Sequence, residues 1–133
     1  MILGVTDTHA AIWYLTNDPR LSPSAGAVFT QAAAIQDQIV LSSISLIEVV
    51  YLEERGRIPM GTRAIMEALL SGTDPLLFEV PVDRRIAAAM SRVERSLVPD
   101  MPDRIIAATA LFLNVPVISR DGRIRSSGIA TIW

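Results

Sequence analysis

The 133-residue chain predicts an α/β fold in which a parallel sheet is covered by helices on both faces. Three observations point to it. Short apolar runs alternate with segments of helical period from one end of the chain to the other. Those runs are apolar at successive positions, as strands buried on both faces are. Half of the residues are hydrophobic, a high share for a small protein. A sheet buried on both faces accounts for that share, and so does extra apolar surface held for a partner.

The elements follow in order. Ile2–Thr6 is a first strand, closed by Asp7, and residues 9–17 form a helix that Asn17-Asp18-Pro19 breaks. Ser22 followed by Pro23 places an N-cap before a proline at the first helical position, opening a second helix that runs to about Gln36. Gln38–Ser42 is a second strand. Helix 45–55 ends at Gly56, and helix 61–71 ends before Gly72. Leu76–Val80 is a third strand. Helix 83–97 sets Ile86, Met90, Val93 and Leu97 on one face. Pro102 opens a helix that is apolar through Ile105, Ile106, Ala110 and Leu111. Val115–Ser119 is a fourth strand and Ile129–Trp133 a short fifth.

No linker, repeat or low-complexity tract divides the chain, so 1–133 reads as a single domain. A domain of this size buries roughly two-thirds of its unfolded surface, enough for a core without staples. Cysteine is absent, which excludes disulfides and thiolate metal sites. The N-terminal MILGVTDTHA lacks the basic leader and long apolar run of a signal peptide. No stretch approaches the ~20 apolar residues of a membrane span. Leu41 to Leu52 comes nearest, interrupted by Ser42, Ser43, Ser45 and Glu48. The expectation is a soluble cytoplasmic protein that does not enter a membrane. With a net charge of −2, no global basic field draws in nucleic acid. All 12 basic residues are arginine, whose forked donors suit phosphate, although genomic base composition yields the same bias.

Four acids stand at places where an open α/β sheet gathers its ligands, just past a strand or in the first turn of a helix: Asp7, Glu48, Asp103 and Asp121. Each also has a structural use. Asp7 suits the N-cap of the helix that follows it. Ser45 and Glu48 match a capping box, while apolar neighbours make an unpartnered charge at Glu48 expensive. Asp103, after Pro102, falls where a helix dipole favours an anion, a place Asp100 also serves. Asp121-Gly122 is a turn dipeptide. Together, four carboxylates on one rim repel one another unless a cation joins them, and oxygen ligands suit Mg²⁺ or Mn²⁺.

Competing chemistries lack their parts. No Gly-rich turn follows the first strand, so neither a dinucleotide fingerprint nor a P-loop is present. His9, the only histidine, has neither a second histidine nor a cysteine to share a zinc ion, and no G-x-S-x-G elbow supports a serine triad. A phosphatase of the haloacid-dehalogenase type would want an aspartate at position 9.

These segments resemble the PIN-domain ribonucleases, in particular the VapC-type toxins of toxin–antitoxin pairs. The resemblance runs end to end through VTDTHAAIWYL (5–15), SSISLIEVVYL (42–52), DMPDRIIAATAL (100–111), PVISRDGRIR (116–125) and the closing ATIW. It implies a three-layer α/β/α sandwich with a central parallel sheet. It implies that Asp7, Glu48, Asp103 and Asp121 form the acidic cluster, holding one or two Mg²⁺ or Mn²⁺ ions. Ser119 matches a hydroxyl residue that commonly stands two positions before the last acid, holding a water or orienting Asp121. Asp100 fits a frequent additional acid, ranked below the four because Met101 intervenes where the family often has proline.

The implied activity is metal-dependent cleavage of RNA. The implied partners are a cognate antitoxin whose tail blocks the acidic groove and a second copy in a homodimer. A non-catalytic PIN-fold module that binds protein or RNA is the alternative, disfavoured by the presence of all four acids. Arg104, Arg120 and Arg123 are candidates to hold phosphates, each with surface charge or a salt bridge as its plainer use. The candidate partner surface is the outer side of helices 22–36 and 61–71, through Val28, Phe29, Ile65 and Leu69, residues that packing on the sheet would explain equally well.

Overall fold

The computed structural model describes residues 1–133. Five strands form one sheet: β1 (Ile2–Thr6), β2 (Gln38–Ser42), β3 (Leu77–Val80), β4 (Val117–Ile118) and β5 (Thr131–Ile132). Every neighbouring pair is parallel, in the order β3-β2-β1-β4-β5. Seven helices connect and cover them: α1 (Thr8–Leu15), α2 (Pro23–Ile35), α3 (Ser43–Glu54), α4 (Thr62–Leu69), α5 (Arg84–Ala89), α6 (Met101–Leu113) and α7 (Gly122–Ser126). No helix is long and apolar enough to cross a membrane.

The strands divide the core into two layers because successive side chains point to opposite faces. Val5, Val40, Val80 and Val117 pack with Ile86, Ile106, Ala110 and Ile124 on one face. Ile39, Leu41, Leu77 and Ile118 pack with Trp13, Phe29, Val49 and Met66 on the other. A sheet buried on both faces is the arrangement that the unbroken apolar strands imply, and the result is the expected three-layer sandwich.

The strand order sets the place of any site. From β1 the chain builds outward through β2 and β3, then crosses back and builds outward on the other side through β4 and β5. The reversal falls between β1 and β4, and a crevice opens at the carboxyl ends of two strands whose connections part there. The backbone binds this seam tightly, with Val5 N–H donating to Pro116 O at 2.9 Å and Asp7 N–H to Ile118 O at 3.0 Å.

Several elements differ from the sequence expectations. The helix expected over 83–97 stops at Ala89 and tightens into a 3₁₀ turn at Met90–Arg92. Val93 then becomes extended and buries its side chain, and the Arg104 guanidinium takes the Met90 and Val93 carbonyls freed there, each at 3.0 Å. Leu97, expected on the buried face, is exposed. Helix α3 begins two residues earlier than expected, with Ser42 as its cap through Ile44 N–H. The Ser45–Glu48 capping box therefore does not form. Asp121-Gly122 opens the short helix α7 in place of a simple turn, and Ile124 anchors it in the core.

The candidate partner surface also changes. Phe29 is fully buried, stacked on Tyr14 with ring centroids 4.4 Å apart, while Val28 and Leu69 pack against the core. Only Ile65 of the four is exposed.

Gly4 shows how close the central seam is. A Cβ there would lie 3.0 Å from the Pro116 carbonyl oxygen and 3.4 Å from the Ile118 side chain. A backbone oxygen in a paired strand has no rotamer by which to give way. Gly4→Val is expected to lower stability by about 1–3 kcal/mol, read as the midpoint of urea unfolding; an unchanged midpoint would show the seam to be looser than described.

Candidate metal centre

At the crevice, Asp7 directly follows β1 and caps α1, accepting Ala10 N–H on Oδ1 at 2.7 Å. The carboxyl end of β4 supplies its neighbours. Ser119 is fully buried, accepts Asp121 N–H on Oγ at 3.0 Å, and stands near enough to the Asp7 carboxylate to favour its charged form. Asp121 caps α7 by accepting Arg123 and Ile124 N–H at 2.8 and 3.0 Å. Ser119 thus stands between the first acid and the last at the strand reversal.

The other acids arrive on helices. Glu48, two turns into α3, accepts a hydrogen bond from the Thr8 hydroxyl. Thr8 has one hydroxyl proton and gives it to Glu48, so the Ser45 hydroxyl, 2.9 Å away, is the donor to Thr8. With the capping box absent, Ser45 and Glu48 are free to build this relay. Asp100 caps α6 through Asp103 N–H at 3.3 Å, and Asp103 follows in the first turn.

All four predicted acids line one cleft of about 480 Å³, and Asp100 joins them. Thr8, His9, Trp13, Arg20 and Arg120 complete its wall. None of the five carboxylates has a cationic partner within salt-bridge distance; the ion pairs of the fold involve Asp18, Asp37, Glu67 and Asp83. Burial and the surrounding charges of Asp121, Asp100, Asp7 and Glu48 push Asp103 up to about 7. Burial also raises Asp7, opposed by Ser119 and by the Ala10 bond, and raises Glu48, opposed by the Thr8 bond.

This donor set fits a hard divalent cation. It is all oxygen, none of its carboxylates makes a salt bridge, and burial makes their charge costly. In the present side-chain positions no three acids form a ready-made coordination sphere, so closure around an ion calls for side-chain adjustment.

Two of the three arginines proposed for phosphate fall outside the cleft. Arg104 is committed to the Met90 and Val93 carbonyls, and Arg123 lies on α7 away from the wall. Arg120 does line it. Sequence reasoning passed over Thr8, Ser45, Trp13 and Arg20. Thr8 and Ser45 carried a signal, since one adjoins Asp7 and the other stands one helical turn before Glu48. Nothing local marks Arg20.

A family model described as PIN domain matches residues 5–128. Ribonuclease VapC22 of Mycobacterium tuberculosis (strain ATCC 25618 / H37Rv) is 28% identical over 126 residues, covering 95% of this chain and 92% of that protein. Among solved structures, VapBC2 from Rickettsia felis bound to a DNA fragment from its promoter superposes with a TM-score of 0.72 at 16% identity, covering 98% of this chain and 97% of that one. FitAcB from Neisseria gonorrhoeae superposes with a TM-score of 0.64 at 23% identity, covering 98% and 96%. At such identities the structural likeness speaks for the fold.

The raised carboxyl of Asp103 carries a sign that can be checked. Its folded pKa of about 7 lies above the ordinary 3.8, so its contribution to the metal-free fold is complete below about pH 4 and is lost as pH rises through 7. Asp103→Asn removes that titration. Metal-free Asp103→Asn is expected to gain on wild type as pH rises from 5 to 8, by about 1 kcal/mol after allowance for solvent screening. Comparing the two proteins by chemical unfolding cancels the groups they share; a difference that is flat with pH would remove the like-charge description of the cleft.

Proposed function

The chain belongs to the PIN domain family, and from that premise we propose that it is a metal-dependent endoribonuclease, the toxin of a toxin–antitoxin pair. The single observation that carries this reading is the convergence of Asp7, Glu48, Asp103 and Asp121 on one cleft with no salt bridge to any of them. The name Ribonuclease VapC22, carried by a relative matching 95% of the chain, supports RNA as the substrate.

In this reading Asp7, Asp103 and Asp121 hold Mg²⁺ or Mn²⁺, with Glu48 joining directly or through water. A divalent cation so held supplies a water of lowered pKa and polarises a phosphate. The residues of the chain do the rest. Ser119 favours the charged form of Asp7 and holds the Asp121 backbone, and the Ser45–Thr8 relay fixes Glu48. No side chain serves as nucleophile. A single-stranded loop or end is the proposed substrate, since unpaired RNA is what sequence-specific RNA-binding proteins most often recognise.

An antitoxin that covers the cleft is the proposed protein partner, in keeping with the toxin–antitoxin complex from Klebsiella pneumoniae, which shares the fold. A homodimer is proposed as well. Its candidate surface is Ile47 and Tyr51 of α3 with Met101 of α6, which are exposed and line one shallow groove, and not the α2 face. Light scattering at high concentration is expected to give the mass of a dimer, and a monomeric mass would count against it.

The catalytic reading is tested with purified, partner-free protein, a panel of structured and unstructured RNAs, and Mg²⁺ or Mn²⁺. Asp7→Asn and Asp103→Asn should each lower cleavage by about 100-fold or more, the scale of losing an electrostatic group at the reacting phosphate. Equal activity in all three proteins would mean a contaminating nuclease. A folded wild type that cuts no RNA would leave a non-catalytic binding module.

A further inference from the structure

The acidic cleft has one cationic wall, and its construction is unusual. Arg20 and Arg120 come from opposite ends of the chain, yet both guanidiniums lie over the ring of Trp13, at 4.9 and 4.6 Å from its centroid. Both line the same cleft as the five carboxylates. Arg120 is bonded in sequence to Asp121 but makes no salt bridge with any acid. Arg20 is oriented by Asp18 outside the acid cluster, through Nε to Oδ1 at 3.0 Å and Nη2 to Oδ2 at 2.8 Å. Its Nη1 remains unclaimed.

The mount is rigid. Trp13 is 5% exposed, belongs to the core layer of α1, and meets Trp133 edge-on with centroids 5.8 Å apart. Stacking on an indole holds a guanidinium through its flat face and leaves its N–H edges available to a ligand. Two such cations beside carboxylates that do not pair with them are placed for a ligand carrying its own negative charge. Location sets these two apart from the other arginines: Arg104 is used up on backbone carbonyls, and Arg85, paired with Asp83 over Phe112 much as Arg20 is with Asp18 over Trp13, lies outside the cleft.

We propose that Arg20 and Arg120, mounted over Trp13, form a phosphate clamp in the wall of the acidic cleft that grips the RNA backbone beside the bond to be cut. The clamp rests on the ribonuclease reading and adds to it the side of the cleft on which the substrate backbone lies. Backbone phosphates repelled by the acids are held on the Trp13 side, so the strand crosses the cleft from that wall. Arg20 and Arg120 are binding residues in this account and take no part in bond breaking. RNA is favoured over an acidic protein segment because the clamp and the proposed metal ligands share one cleft.

The test uses full-length protein carrying Asp7→Asn, so that RNA survives, and a fluorescein-labelled single-stranded RNA of mixed sequence followed by anisotropy across a salt series. Arg20→Gln and Arg120→Gln should each weaken binding by about 10-fold, and each should make the slope of log K against log salt shallower by about 0.7, the value of one phosphate contact on a single strand. Arg→Lys at each position should restore most of the slope, which a merely structural role would not predict. Thermal melts confirm that the variants fold. If the double variant binds with the affinity and slope of its parent, the clamp is wrong while the ribonuclease reading stands, and the arginines serve a protein partner. If the parent itself binds no RNA and the wild type cuts none, the ribonuclease reading fails and the clamp fails with it.

Discussion

The pairing of β1 with β4 governs what the rest of the molecule can do. These two strands meet at Val5–Val117 and Thr6–Ile118, and the ladder carries on to Asp7 N–H. Because the sheet reverses direction of growth at this seam, the chain leaves the two carboxyl ends by different routes and the crevice between them stays open. Asp7 and Ser119 are the first residues past those ends. Their proximity is a property of backbone register, and a slip of one residue would send both side chains to opposite faces.

A second constraint is electrostatic. Burying several carboxylates together is unfavourable for a fold that must stand alone, and the protein has arginines at hand with which to neutralise them. It does not do so. Arg20 is tied to Asp18, Arg104 to carbonyls, and Arg120 lies over Trp13. The structural uses of the acids coexist with this charge: Asp7, Asp100 and Asp121 each cap a helix. Capping consumes one oxygen of each, fixes the direction of the carboxylate, and leaves a second oxygen for a ligand. Capping and the proposed cation binding are therefore compatible uses of the same group.

Much of this was legible in the sequence, and the exceptions have physical causes. The central strands were clear because two-faced burial keeps their middle residues, Gly4–Val5 and Ile39–Leu41, apolar, while the edge strand β3 carries an exposed Glu79. The start of α2 was clear because Ser22-Pro23 is a local signal, and its end followed from the loss of helical period, where the structure places Gln36 in a left-handed cap. Helix α5 was overextended because its apolar period continues past Ala89, while the break depends on Arg104, a residue distant in sequence that receives the freed carbonyls. The capping box at Ser45 failed for a similar reason. Ser42 is a competent cap three residues earlier, and Thr8 offers Ser45 and Glu48 a tertiary partner. The acids themselves were found by position, but the Arg20–Trp13–Arg120 stack joins residues that no local pattern connects.

The central claim is that the uncompensated acids constitute a divalent-cation site. Calorimetric titration of the wild-type protein with Mn²⁺ tests it without reference to any substrate. The account predicts saturable binding at or below millimolar metal, weaker at pH 6 than at pH 8 because protons compete for the same carboxylates, and abolished in Asp7→Asn/Asp103→Asn. Absence of binding at millimolar Mn²⁺, or binding that survives the loss of both acids, would contradict it.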